Sequence, residues 1–242
     1  MAPPARSTTP RQRHLPAPSL TLDELLEQSA WFSRLDAAAQ LQVRANATER
    51  PVAAGQSLSH HGDRQHAWFG VLEGLIKWAI TARDGRTVTL GGQSVGSWFG
   101  EGTLIRDAPR ESDLVALRHS RVAQIPASTF AWLRATQPTF DDFLLRRVNE
   151  RMHWFMGSFV ARGLLDSDGQ VARALVGMVH PLLNPLGERH LQLSQEELSK
   201  LAAVSRQSCN AALTHFKDAG LVRSEYGGIV VLDLPGLQTL AQ

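Results

Sequence analysis

Three side chains near position 206 have the right chemistry to read a nucleic-acid base. Arg206, Gln207 and Asn210 follow Ser205, whose hydroxyl suits the N-cap of a helix. Guanidinium groups bond guanine edges and carboxamides bond adenine edges in the major groove. A helix capped at Ser205 is expected to run to about Ala219, with Gly220 as its stop. Cys209, Ala212, Leu213 and Phe216 then share one face at helical spacing and should be buried. The three readers lie on the other face, and Arg223 beyond the helix is a candidate phosphate contact.

Two other groupings invite chemistry. Gly100, Glu101 and Arg110 bring a carboxylate and a guanidinium close in sequence. They fit either a ligand site or an internal ion pair that closes the domain. His60, His61 and His66 suggest a metal site in a β-barrel enzyme. Adjacent residues on a strand point to opposite faces, which argues against a shared metal, so we assign neither metal ligands nor catalytic residues. The single cysteine, Cys209, excludes an intramolecular disulfide and any cysteine-built zinc or iron–sulfur site within one chain.

These residues need elements to position them. The chain has 242 residues, 43% hydrophobic and 20% charged, with a net charge of +2, which fits one or two ordinary folded domains. No apolar run approaches the length of a membrane span, so no membrane partner is expected. Residues 1–19 are proline-rich and basic and are expected to be a disordered tail. Thr21 and Glu24 form a capping box before a helix, and a second short helix is expected around Leu41 and Val43. Short apolar runs then end at Glu73-Gly74, Asp84-Gly85 and Gly91-Gly92, which predicts antiparallel strands in a sandwich or roll over 51–126. The six tryptophans read mainly as core residues, with Trp154 the one placed to neighbour a ligand.

A long helix follows Pro138. Leu145, Val148, Met152, Phe155 and Phe159 are spaced 3, 4, 3 and 4, and charged Arg146, Arg147, Glu150 and Arg151 flank them. Such an a/d pattern predicts a dimer seam rather than a single core-facing stripe. Beyond Asp166, Ser194 and Glu197 form another capping box. A tight Ala202-Ala203-Val204 connection leads to the Ser205 helix, and two short strands flank Tyr226-Gly227-Gly228. This is the pattern of a winged helix-turn-helix. From Asp166 onward there are six Lys or Arg and eight Asp or Glu, so attraction to phosphate must come from local placement.

Ser194-Gln195-Glu196-Glu197-Leu198, Val204-Ser205-Arg206-Gln207 and the Tyr226-Gly227-Gly228-Ile229 wing resemble the DNA-binding half of Crp/Fnr-type transcription regulators. Gly70-Val71-Leu72-Glu73-Gly74, Asp84-Gly85 and Trp98-Phe99-Gly100-Glu101 resemble the cyclic-nucleotide-binding β-roll of the same family. The resemblance implies an α+β chain. It would have an antiparallel, jelly-roll-like β-roll sensor over 20–137, a dimerisation helix over 138–165 and a winged helix-turn-helix over 166–242. It implies a cytoplasmic bacterial homodimer on a pseudo-palindromic duplex DNA operator, with RNA polymerase as a further partner. The expected DNA contacts are Ser205, Arg206, Gln207, Asn210 and Arg223, and the expected effector contacts are Gly100, Glu101, Arg110 and Phe155. Two departures argue against cyclic AMP. Glu111 stands where the cyclic-AMP-binding members carry a phosphate-holding serine, and Phe155 and Met156 stand where they carry small hydroxyl residues. The iron–sulfur branch is excluded by the cysteine count, while the histidines leave a haem-sensing branch open, so the effector is not identified. A ligand-binding sensor whose head contacts protein rather than DNA is the alternative.

Overall fold

A computed structural model describes residues 18–82, 84–225 and 227–242. Most of the expected tail, residues 1–17, lies outside them, as does Tyr226 of the wing. Ser19, expected in the tail, instead pairs with Glu73, and the Leu20 N–H donates to the Leu72 carbonyl.

Two capped helices open the described chain. Helix α1 (Leu22–Gln28) starts on the reciprocal Thr21–Glu24 capping box, and α2 (Ala37–Asn46) starts on Asp36, which accepts from the Ala39 N–H. Strands β1 (Thr48–Val52), β2 (Ser57–Ser59), β3 (Ala67–Glu73), β4 (Ile76–Thr81), β5 (Thr87–Gln93) and β6 (Trp98–Phe99) precede a short helix, α3 (Glu101–Arg106). Strands β7 (Asp113–Ala116) and β8 (Ser120–Pro126) complete the roll. Its two antiparallel sheets run β1-β8-β3-β6 and β2-β7-β4-β5. Gly85 takes positive φ at the β4–β5 hairpin, as its Asp-Gly sequence predicts.

One expected strand end is displaced. Gly91-Gly92 was expected to stop β5, but the strand pairs through both to Gln93. The glycines serve packing rather than a turn. A Cβ on Gly91 would meet the Trp154 ring at 3.5 Å, and one on Gly92 would meet Met178 and Leu75 at 3.3 Å. Their bare backbone lets later helices approach the sheet.

Aromatic rings fill one end of the roll. Trp31 lies 5.1 Å from Trp68, 5.2 Å from Trp98 and 5.5 Å from Phe140, all buried. Phe140 is supplied by a 27-residue helix, α5 (Pro138–Leu164), which follows α4 (Ala127–Thr136). At about 1.5 Å per residue α5 is roughly 40 Å long. Its buried residues are Phe140, Leu144, Arg147 and Ala161, so it is anchored along its first half and again near its C-terminal end.

The C-terminal unit has its own core. Asp166 caps α6 (Ser167–Met178) through the Gly169 N–H. Then come β9 (His190–Leu191), α7 (Gln195–Ala202), α8 (Arg206–Asp218), β10 (Val222–Glu225), β11 (Gly228–Val231) and α9 (Leu234–Leu240). The small sheet runs β10-β11-β9; β9 was not legible in the sequence. This unit rests on the roll. The Ser94 hydroxyl donates to the Leu183 carbonyl at 2.6 Å, Arg118 lies 3.8 Å from Glu197, and Met178 packs beside Leu75.

Trp31 provides a test of the aromatic core. It is 1% exposed, and its indole N–H has no hydrogen-bond partner among the described residues. Trp31→Ala is expected to cost about 3–5 kcal/mol in urea unfolding. Trp31→Phe should cost clearly less, because it removes an unpartnered donor while keeping most of the ring contacts.

Candidate functional site

Helix α8 presents the expected readers. Ser205 accepts from the Ser208 N–H at 3.0 Å, so its hydroxyl is spent on capping. Arg206, Gln207 and Asn210 are exposed, and Cys209, Ala212, Leu213 and Phe216 are buried on the opposite face. Burial pushes the Cys209 thiol up to about 11, so it stays protonated. Arg206 reaches Glu196 only at 3.7 Å, and Glu196 is held more closely by Lys200 at 2.8 Å. The Lys200 hydrogen bond and charge, then Arg206, hold the Glu196 carboxyl below its ordinary value. Arg223 in β10 is paired with Glu225 at 2.5 Å, so its charge is already offset. The α7–α8 turn puts Ala203 at φ +57°, a strained position for a residue with a Cβ.

In the roll, a cavity of about 560 Å³ lies between the sheet, α3 and α5. Gly100, Glu101, Arg110 and Phe155 all line it, so the structure brings the four expected effector residues together. Their partners differ from expectation. Glu101 does not pair with Arg110. Its carboxylate, 2% exposed, lies 3.2 Å from Arg151 and 4.0 Å from Arg147, both on α5. Burial alone would raise its pKa, but the Arg151 and Arg147 charges outweigh that and hold it below the ordinary glutamate value. Arg147 also donates to the Trp98 carbonyl, and burial pushes its own pKa down to about 10.

Arg110 is buried among neutral acceptors. It donates to the Ser112 carbonyl at 3.2 Å, to the Ser112 hydroxyl at 3.4 Å and to Gln65. Burial lowers its pKa to about 10, against the opposing charges of Glu101, Asp63 and Asp113. Glu111 turns outward to Arg106 at 3.0 Å. Ser112 therefore faces the cavity, and its hydroxyl accepts from the Trp78 indole N–H at 2.5 Å.

The exposed stripe of α5 differs from the expected seam by one residue. Leu145, Val148, Met152 and Phe159 are exposed, as a partner face requires. Phe155 is not part of that stripe; it turns inward and packs edge-on against Trp78 at 5.3 Å. Met156 takes its place among the exposed side chains. The reason is the ring of Trp78, which offers Phe155 an aromatic contact on the roll side of the helix. The histidines do not converge. His60 and His61 occupy the turn after β2 rather than a strand. Among the described residues no group of three or more His, Cys, Asp or Glu could hold a metal ion.

Residues 49–137 match the model of a cyclic nucleotide-binding domain, and residues 169–240 match that of a Crp-like helix-turn-helix domain. The chain belongs to the Crp/Fnr family of transcription regulators. It is 23% identical to a CRP-like cAMP-activated global transcriptional regulator of Mycobacterium tuberculosis, over 88% of this chain and 96% of that one. Its fold is similar to FixK2 from Bradyrhizobium japonicum (TM-score 0.69, 15% identity, 81% of this chain and 98% of that one). It is also similar to the c-di-GMP-responsive global regulator CLP of Xanthomonas campestris (TM-score 0.60, 21% identity, 82% and 100%). Family membership gives the protein the general role of a DNA-binding transcription regulator. No helix among the described residues is long and apolar enough to cross a membrane.

Trp78, Gln93, Ser112 and Arg151 are among the cavity residues of this Crp/Fnr protein that escaped sequence reading. Arg151 had a signal. Arg147, Arg151 and Phe155 follow one another at i, i+4 and so share a helix face.

The Glu101 link makes a pH prediction. A carboxyl whose pKa is depressed on folding contributes stability above its ordinary pKa, near 4.5. That stability is lost as pH falls through the depressed value. Glu101→Gln is expected to cost about 3–5 kcal/mol at pH 7, by leaving two buried arginines uncompensated. It should also flatten the loss of stability below pH 4.5, read by urea unfolding across pH.

Proposed function

We propose that this regulator acts as a cytoplasmic homodimer. Paired α5 helices would set two α8 helices on a pseudo-palindromic duplex, under control of a small effector in the roll cavity. The observation that carries the DNA contact is the division of α8. Three base-reading side chains are exposed near its N-terminus, and four apolar ones are buried behind them. Recognition helices enter the major groove by that end. Arg206, Gln207 and Asn210 are its readers, Ser205 fixes the helix start, and Arg223 exchanges Glu225 for phosphate. Exposed, weakly paired Arg206 supports DNA over a protein partner for the head. RNA polymerase is the further partner that family membership suggests.

The exposed α5 stripe supports the dimer. Leu145, Val148, Met152, Met156 and Phe159 lie along one side of the helix, with Phe159 80% exposed. Contiguous apolar exposure of this kind marks an interface. Two-fold pairing there predicts half-sites one helical turn apart, roughly 34–36 Å.

Two experiments test this reading. Changing Met152 and Met156 together to Glu would bury unpaired carboxylates at the seam. Sedimentation at micromolar concentration should then show monomer, and an intact dimer would refute the seam. Selection of bound sequences from random DNA should return a two-fold symmetric site. Arg206→Ala should relax one symmetric pair of positions, with a loss of about 1–3 kcal/mol per half-site. Folding stability should hardly change, since an exposed ion pair at 3.7 Å is worth little. Unchanged sequence preference would remove Arg206 from the readers.

A further inference from the structure

Gln93 lines the roll cavity, is 1% exposed, and has no partner for either its amide oxygen or its amide nitrogen among the described residues. A buried carboxamide left unpaired at both ends is costly, and native folds rarely keep one without use. Its register puts it at the last residue of β5, opposite Ile76. Trp78, Phe99, Leu114, Met152 and Phe155 supply mostly apolar and aromatic walls around it.

Most charged groups of the same cavity are already engaged, although the Nε and Nη2 of Arg151 have no hydrogen-bond partner among the described residues. Glu101 is held by Arg151, and Glu111 by Arg106. Arg110 spends its nitrogens on Ser112 and Gln65. An incoming phosphate would have to break the Arg110 bonds or draw Arg151 away from the Glu101 carboxylate, whereas an incoming amide would meet the Gln93 amide with no hydrogen bond to break. We infer that the cavity takes a planar, largely apolar, uncharged ligand carrying an adjacent N–H donor and carbonyl acceptor, as in a lactam, and that Gln93 reads that pair. The aromatic walls hold the ring, and Gln93 fixes its orientation. This deepens the effector-control reading and rests on it.

Two probes of nearly equal shape test the inference on DNA-free, full-length protein. 2-Quinolone carries the N–H and carbonyl pair. Coumarin replaces the N–H by a ring oxygen, so the Gln93 carbonyl would face another acceptor. Ligand-observed NMR and calorimetry should give 2-quinolone a dissociation constant below about 1 mM. Coumarin should bind at least about tenfold more weakly. Gln93→Leu should erase that preference, and its melting temperature should equal or exceed wild type, because no internal bond is lost. Cyclic AMP at about 1 mM should not displace the quinolone.

Absence of quinolone binding, or equal affinity for the two probes, overturns the inference without recourse to any variant. Displacement by micromolar cyclic AMP overturns it in favour of a nucleotide site. A marked loss of stability in Gln93→Leu overturns it in favour of a structural glutamine. Operator selection is measured separately, so failure of the ligand inference leaves the DNA reading standing, and failure of DNA binding would be seen independently.

Discussion

A carboxylate that is 2% exposed must find positive charge, and among the described residues Glu101 finds its ion-pair partners on α5. Much of the architecture depends on that requirement. Glu101 sits at the first turn of α3, immediately after the Gly100 bend at φ +101° that aims it inward. Arg147 and Arg151 then fix the rotation and register of α5 against the roll. With Phe140 packed into the aromatic core one end of the helix is set, and with the Glu101 pair its middle is set as well. A buried ion pair of this kind adds little net stability over apolar packing, but it strongly disfavours any arrangement that separates its members.

Once α5 is fixed, one helix serves three surfaces. Phe155 and Arg151 close the roll cavity, and Met152 and Met156 stand where the cavity meets the exposed stripe. Trp154 faces Gly91 of the sheet and Gly177 of α6, bridging the roll and the C-terminal unit. Leu165 and Asp166 then pass the chain into the head with a capped helix start. A molecule filling the cavity would therefore press on residues a single turn from both the proposed partner face and the head. This is the physical route by which occupancy could reach α8, carried by contiguous packing rather than by distance.

What was legible in the sequence follows the range of the forces involved. The helix starts at Thr21, Ser194 and Ser205 are local hydrogen-bonding devices, and all three are present. The buried face of α8 obeys simple helical periodicity. Non-local features were hidden. Gly91-Gly92 reads as a turn, yet its meaning lies in Trp154 and Met178, which arrive from far along the chain. Gln93 was concealed by the same misreading. Phe155 fits the heptad and Met156 does not, yet the contact with Trp78, distant in sequence, turns Phe155 inward. Arg147 and Arg151 look like the solvated flank of a seam until a buried acid is placed beside them. Glu101 stood out in the sequence beside Arg110, whereas its ion-pair partners, Arg147 and Arg151, did not.

The pairing of two α8 helices through α5 is tested most directly by the composition of the protein–DNA complex. Light scattering of the purified protein on a duplex bearing its selected site would give the number of chains bound. Hydroxyl-radical protection of the same complex would give its symmetry. Two chains per duplex are predicted, with two equivalent protected patches roughly one helical turn, about 34–36 Å, apart. One chain per duplex, or a single protected patch, would contradict the two-fold arrangement.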